Sequence, residues 1–230
     1  MIYAFVDGQK RQPERKGERT QCPDCGGTLS AVMPVKNIAH WRHQRGDCDP
    51  WSEPEGPWHL GWKEQFDPAF REIGLRDPLS GELHRADILC NDGTPHATVL
   101  ELQHSSIAEE ERVAREAFYR RGRRMFWLVH IHNDQSFLGY GFAFSLDFRR
   151  EPHSFDGRSY SVMRWMGRSK QFIEKWKRAE AHVFFDMGGR IFHLAQSSLL
   201  IGQGRVLAAG EFALSELTPV EFVRAVHGGT

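Results

Sequence analysis

Apolar and polar positions follow different periods in successive stretches of the chain, and the changes of period outline its elements. Between Pro57 and Gly74 the residues Trp58, Trp62, Phe66, Phe70 and Ile73 recur three or four apart, the spacing that lines one face of a helix. One amphipathic helix is predicted there, with His59 and Lys63 beside its apolar stripe. Leu83–Cys90 and Ala97–Gln103 read as strands, and Asp92, Gly93 and Pro95 between them predict a β-hairpin. Ser106 with Glu109 matches a capping box, and Ile107, Ala114, Ala117 and Phe118 give the next helix, to about Gly122, its apolar face. Met125–Ile131 is almost continuously apolar, as expected of a buried strand lying parallel to an earlier one through that helix. Val183–Asp186 and Arg190–Leu194 around Gly188-Gly189 predict a second hairpin. Residues 216–227 predict a terminal helix, and Met1–Val6 a short opening strand.

The stretch from Cys22 to Cys48 breaks these patterns. It holds short β-prone pieces, Thr28–Val32 and Ile38–Trp41, but little apolar mass, so it needs a metal to order it. Cys22 and Cys25, with Pro23 between them and Gly26-Gly27 after, form a zinc-knuckle spacing. The remaining ligands come from His40, His43 and Cys48. If Ile38–Trp41 is a strand, His40 and His43 face opposite sides, which favours Cys22, Cys25, His43 and Cys48, with His40 as the alternative. Four protein ligands close the site, so the Zn²⁺ is structural. Cys90, inside a strand, reads as a core thiol.

The hairpin carries the candidate chemistry. Glu101 and Gln103 share one face of their strand, and antiparallel pairing can set Asp87 opposite them. Two carboxylates, a polar neighbour and the Leu102 carbonyl are a donor set for Mg²⁺ or Mn²⁺, and such an ion suits phosphodiester hydrolysis. On the following helix Glu111, Arg115 and Tyr119 recur four apart, a polar face with ion pairs.

Composition narrows the partners. The 230 residues carry 30 Lys plus Arg against 30 Asp plus Glu, so global charge gives no attraction to a polyanion. Local charge does: residues 158–178 hold seven Lys or Arg and one Glu, with Tyr160, Trp165, Phe172 and Trp176 interleaved. A basic aromatic segment of this kind suits nucleic acid, with Arg168, Lys170 and Lys177 as candidate phosphate contacts. With 7 Trp and 16 Phe the chain should fold. No apolar run reaches the roughly 18 residues of a membrane span, and a cytoplasmic protein is expected. At about 150 residues per domain, the 230 residues suit one large domain with an appendage or two small ones, and the changes of pattern along the chain divide it into a zinc module over 1–52, an α/β core over 53–150 and a basic α+β region over 151–230.

Taken in order, Cys22-Pro23-Asp24-Cys25, His40-Trp41-Arg42-His43, Asp47-Cys48, Trp58-His59-Leu60-Gly61-Trp62-Lys63-Glu64, His84-Arg85-Ala86-Asp87 and Glu101-Leu102-Gln103-His104-Ser105 resemble the CoiA family of competence proteins. The resemblance covers about residues 20–131 and implies a PD-(D/E)XK nuclease-like core. It implies Asp87 and Glu101 as Mg²⁺ or Mn²⁺ ligands, His59 as a further member of the metal shell, and Lys63 as the cation that Gln103 cannot supply, since relatives of the wider fold often carry Lys there. The expected activity is DNA cleavage, on single strands or duplex, in uptake, recombination or mobile-element processing. Two alternatives stand beside it: a non-catalytic DNA-binding accessory with a degenerate core, and a scaffold whose zinc module docks a protein partner.

Overall fold

The computed structural model describes residues 1–51, 55–132, 142, 153–155, 157–165, 170–195, 207–208 and 210–228. It divides into two compact units, Met1–Asp92 and Gly93–Thr230.

The first unit opens with the antiparallel pair β1 (Ala4–Val6) and β2 (Gln9–Arg11). Asp7 (φ 50°) and Gly8 (φ 79°) turn it, both left-handed as a tight hairpin of this hand requires. A three-stranded antiparallel sheet follows, β3 (Arg19–Gln21), β4 (Thr28–Val32) and β5 (His40–His43). Among the described residues its buried core is Ala4, Cys22, Leu29 and Trp41, with Met1, Val6, Ala31 and Cys48 packed against it half-buried, the scant apolar mass anticipated from sequence.

The single helix predicted over 57–74 is a shorter one. Helix α1 spans Pro57–Lys63, a 3-10 turn covers Pro68–Phe70, and β6 (Arg71–Arg76) takes the rest. Asp67 precedes proline and sits at ψ 140°, outside the helical region that the pyrrolidine ring disfavours for the preceding residue. β6 pairs antiparallel with β7 (Leu83–Cys90), the strand whose limits the alternation marked.

The second unit is a mixed sheet in the order β10 (His153–Phe155), β11 (Arg158–Arg164), β14 (Glu211–Leu217), β13 (Arg190–Leu194), β12 (His182–Met187), β9 (Arg124–His130), β8 (Thr98–Gln103). β9 lies parallel to both β8 and β12, as its apolar run required. The β12–β13 turn forms on Gly188 (φ 62°) and Gly189 (φ 85°). Helix α2 (Glu109–Tyr119) crosses from β8 to β9. Its N-cap is Ala108, with no side-chain cap, so the expected Ser106–Glu109 box does not form; Glu109 instead pairs with Arg178. α2 and α3 (Lys170–Lys177) cover one face, where Trp127 Nε1 donates to Glu116 at 3.0 Å and Trp176 packs edge-on to Trp127. α4 (Pro219–Val226) covers the other, Phe222 against Phe184. The expected terminal helix over 216–227 thus begins later, after Thr218, which caps it reciprocally with Glu221. Covered on both faces, β8 is buried at all six positions.

Candidate metal centre and acidic site

Cys22, Cys25, His43 and Cys48 each turn a ligand atom inward, all within 4.8 Å of one another. Cys22 Sγ lies 3.9 Å from Cys48 Sγ, and Cys25 Sγ 3.4 Å from His43 Nε2. Two thiolates on a tetrahedral ion with bonds of about 2.3 Å stand about 3.8 Å apart, so the four residues fit a metal such as zinc. The knuckle is made by the backbone: Gly26 N–H donates to Cys22 O, Cys22 N–H to Gly27 O, and Gly26 takes φ 72°. A Cβ on Gly27 would meet Cys25 Sγ at 3.2 Å. His43 Nδ1 faces Asp47 at 3.4 Å, a second partner that leaves Nε2 for the ion. His40 instead sets its Nδ1 against Ile38 O at 2.9 Å, and the opposite-face argument for β5 holds. Burial and the neighbouring Cys22 push the Cys48 thiol up to about 12, against the pull of Arg85.

That module is bound to β7. Arg85 Nη2 lies 3.6 Å from both Cys22 Sγ and Cys48 Sγ, and its Nε donates to Asp24 at 2.8 Å. Asp49, next to the last cysteine, accepts from Arg85 N at 2.9 Å and pairs with His84 Nδ1 at 2.9 Å. Two residues beyond Arg85 on the same strand lies Asp87. Gly74 makes this approach possible, since a Cβ there would stand 2.1 Å from Asp24 Oδ1.

Asp87 belongs to a cluster around Lys63. The Lys63 side chain is 0% exposed, and its Nζ lies 2.9 Å from Asp87 Oδ1, 2.9 Å from Glu72 Oε1, and in contact with Glu55. Burial opposes the ammonium, but Asp87, Glu55 and Glu72 outweigh it and hold the Lys63 pKa well above its usual value. Glu72 is buried too, yet Lys63, the N-terminus and the Ile2 and Tyr3 amides, at 2.8 and 2.9 Å, keep it ionised far into acid. Its backbone stands at φ 48°, a strained conformation for a side chain of this size that neighbouring structure must enforce. Three carboxylates share one ammonium, and the surplus charge appears on Glu55: burial, with Glu72 and Asp87 beside it, raises its pKa from 4.5 to about 8. Glu55 and Glu72 were not singled out from sequence, where nothing in their spacing distinguishes them among 30 acidic residues.

The raised Glu55 pKa sets a pH dependence. Below about pH 4.5 both folded and unfolded chains hold that proton; as the pH rises towards 8 only the folded chain does, and stability falls through that window. Glu55→Gln should remove the fall. Urea midpoints of wild type and variant at pH 5 and pH 8 check it: the variant gains on the wild type at pH 8, and an equal difference at both pH values contradicts the assignment.

In the second unit, Glu101 is 3% exposed and its Oε2 accepts from Arg115 Nη1 at 3.1 Å. Arg115 also reaches Glu111 and lies over the Trp127 ring, so the α2 polar face expected to carry ion pairs carries them on its buried side. Gln103, 1% exposed, donates from Nε2 to Ser105 O at 3.0 Å. His59 is buried, with Nδ1 accepting from Gly56 N–H at 3.3 Å across the first turn of α1. Asp87 and His59 lie in one unit and Glu101 and Gln103 in the other, and each pair is described in its own.

No protein-family model, curated protein or solved structure matches the chain.

The basic segment is largely engaged within the fold. Lys177 Nζ donates to Glu174 at 3.1 Å and to Glu211 O at 3.0 Å, Arg178 pairs with Glu109, and Lys175 donates to Ile107 O. Tyr160, Trp165 and Trp176 are buried core residues, which removes them as base-stacking platforms. Arg168 lies outside the described residues, and of Lys170 only its place in α3 is described. No described helix is long and apolar enough to cross a membrane.

Proposed function

We propose that the chain is a metal-dependent DNA nuclease with a PD-(D/E)XK-like core of the CoiA kind. The observation that carries the reading is the Lys63 cluster: an ammonium removed from solvent and held against Asp87 on residues that the resemblance singles out. A cation and three carboxylates in one interior are costly unless mutually satisfied, and such concentrations mark functional sites.

Asp87 and Glu101 are the residues assigned to Mg²⁺ or Mn²⁺, which when bound would polarise a phosphoryl oxygen and lower the pKa of an attacking water. The donor chemistry fits: Asp87 keeps 22% of its side chain exposed and offers hard oxygens. Glu101 offers the same chemistry from behind its pair with Arg115. Lys63 holds the Asp87 carboxylate in one orientation and keeps positive charge beside it at every physiological pH. Structural Zn²⁺ in the Cys22, Cys25, His43, Cys48 site braces β7, and DNA is the partner.

One observation favours the non-catalytic alternative, a DNA-binding accessory. The Gln103 amide is bonded to the Ser105 carbonyl, and a neutral amide supplies no charge to a leaving group. Incubating zinc-loaded protein with single-stranded and duplex DNA, with Mg²⁺ or Mn²⁺ and without either, separates the readings. The nuclease account expects cleavage that needs the added ion, raised or unchanged by Gln103→Lys. DNA retained uncut under every condition, in wild type and Gln103→Lys alike, supports the accessory.

A further inference from the structure

Three imidazoles gather where β8 and β9 end. His104 follows the last residue of β8, His130 is the last residue of β9, and His132 stands two further on. Each offers one ring nitrogen, and the three nitrogens lie within 4.8 Å of one another. His104 Nδ1 and His130 Nδ1 are 2.8 Å apart; the His104 and His132 rings stack in parallel, centroids 4.3 Å apart; and the His130 and His132 centroids are 4.8 Å apart. From this geometry we infer a second metal site, independent of the nuclease reading, for a divalent late first-row ion of the Zn²⁺ class.

The position is one that α/β sheets use for ligands. β8 and β9 run parallel, so their carboxyl ends lie on the same edge of the sheet, the edge at which α/β sheets bind ligands. All three histidines are half-buried at the end of the sheet.

Bonding in the cluster fixes which nitrogen each ring can give. His132 Nε2 lies 3.3 Å from the His104 carbonyl oxygen. A carbonyl only accepts, so Nε2 carries the hydrogen and the lone pair falls on Nδ1. A backbone carbonyl on the far nitrogen is the usual second partner of a metal-binding histidine. Between His104 and His130 one Nδ1 must donate and the other accept, so without an ion one proton is held between the rings. Two nitrogens on a tetrahedral ion with bonds of about 2.0–2.1 Å stand about 3.3 Å apart, so binding shifts the donor ring's proton from Nδ1 to its Nε2 and parts the rings by about half an ångström. The three ligands are nitrogens, which suit zinc, copper or nickel, whereas magnesium prefers oxygen. Three protein ligands leave a fourth position for water.

The site is also separate from Glu101. Strand alternation sets Glu101 and Gln103 on the face of Trp127 and Val129, beneath α2. His130 continues the other face, with Phe126 and Leu128, on the side where α4 packs. It is separate again from the cysteine cluster, which lies in the other unit.

The test is zinc stoichiometry of the full chain, measured by elemental analysis after saturation and removal of excess ion, with Co²⁺ loading as a second readout. Wild type should hold two zinc per chain, and His132→Gln or His104→Ala one. Asp87→Ala should still hold two, whatever it does to DNA cleavage. Cobalt in the retained site of the histidine variants should show sulfur-to-metal charge transfer, and the cobalt lost should be the fraction without it. One zinc in the wild type, or two in both histidine variants, overturns the proposal. Wild-type stoichiometry decides even if a variant fails to fold.

Discussion

Replacing Cys22 with Ser should unfold the N-terminal module and leave the second unit folded. Among the described residues the module's own core is four buried side chains with four half-buried ones against them, too little to offset the chain entropy of its strands and long loops. Structural zinc in small modules is worth on the order of 10 kcal/mol, so loss of one thiolate removes more than the module can spare. The damage should reach β7, because Arg85 spans the Cys22 and Cys48 sulfurs and Asp49 holds both His84 and the Arg85 amide. Amide hydrogen exchange measures this directly. Protection should vanish over β3 to β5, fall over β6 and β7, and persist over β9 and β12. Unchanged protection over β4 in zinc-free Cys22→Ser would mean that the metal does not order the module.

The second large effect is at Lys63. Lys63→Met keeps the length of the side chain but leaves Glu72 and Asp87 facing each other without their cation. Removing one partner of a buried ion pair costs about 3–5 kcal/mol, chiefly through the charge left behind. The loss should therefore be relieved by neutralising a carboxylate. Lys63→Met with Glu72→Gln should be less destabilised than the sum of the two single changes, by about 1–3 kcal/mol, because Gln at 72 no longer carries the stranded charge. Urea denaturation of the four proteins gives the cycle, and additivity within about 0.5 kcal/mol would show that Lys63 and Glu72 do not depend on each other.

These two regions were unequally legible in the sequence. The cysteine cluster could be read because its ligands are few, rare in the chain and fixed by short spacing; even the choice of His43 over His40 followed from strand alternation. β7, β9 and the β12–β13 hairpin were visible for a similar reason, since local period and Gly188-Gly189 decide them. The helix over 57–74 was misread because the apolar residues keep their spacing through Phe66, Phe70 and Ile73, while Asp67-Pro68 ends the helical backbone and the same residues serve a turn and a strand. Glu72 depends on a positive φ and on amides some 70 residues away, which no local pattern carries. Arg115 was read as one of a polar row, and only the sheet beneath α2 makes it a buried partner for Glu101. The histidine cluster did leave a trace: His130 and His132, two apart at a strand end, fall on one side, but His104 joins them only through the parallel pairing of β8 with β9.

Whether Asp87 serves phosphodiester cleavage is read most directly from the rate at which zinc-replete wild type and Asp87→Ala cut DNA with Mg²⁺ or Mn²⁺ present. Asp87→Ala leaves Lys63 with Glu72 and Glu55, so the fold and the zinc content should survive. The account predicts cleavage by wild type that falls at least about a hundredfold in Asp87→Ala, the scale on which loss of one transition-state contact is felt, and the same loss in Glu101→Ala. Wild type that cuts neither single strands nor duplex with either ion, or Asp87→Ala that cuts as fast as wild type, would contradict it.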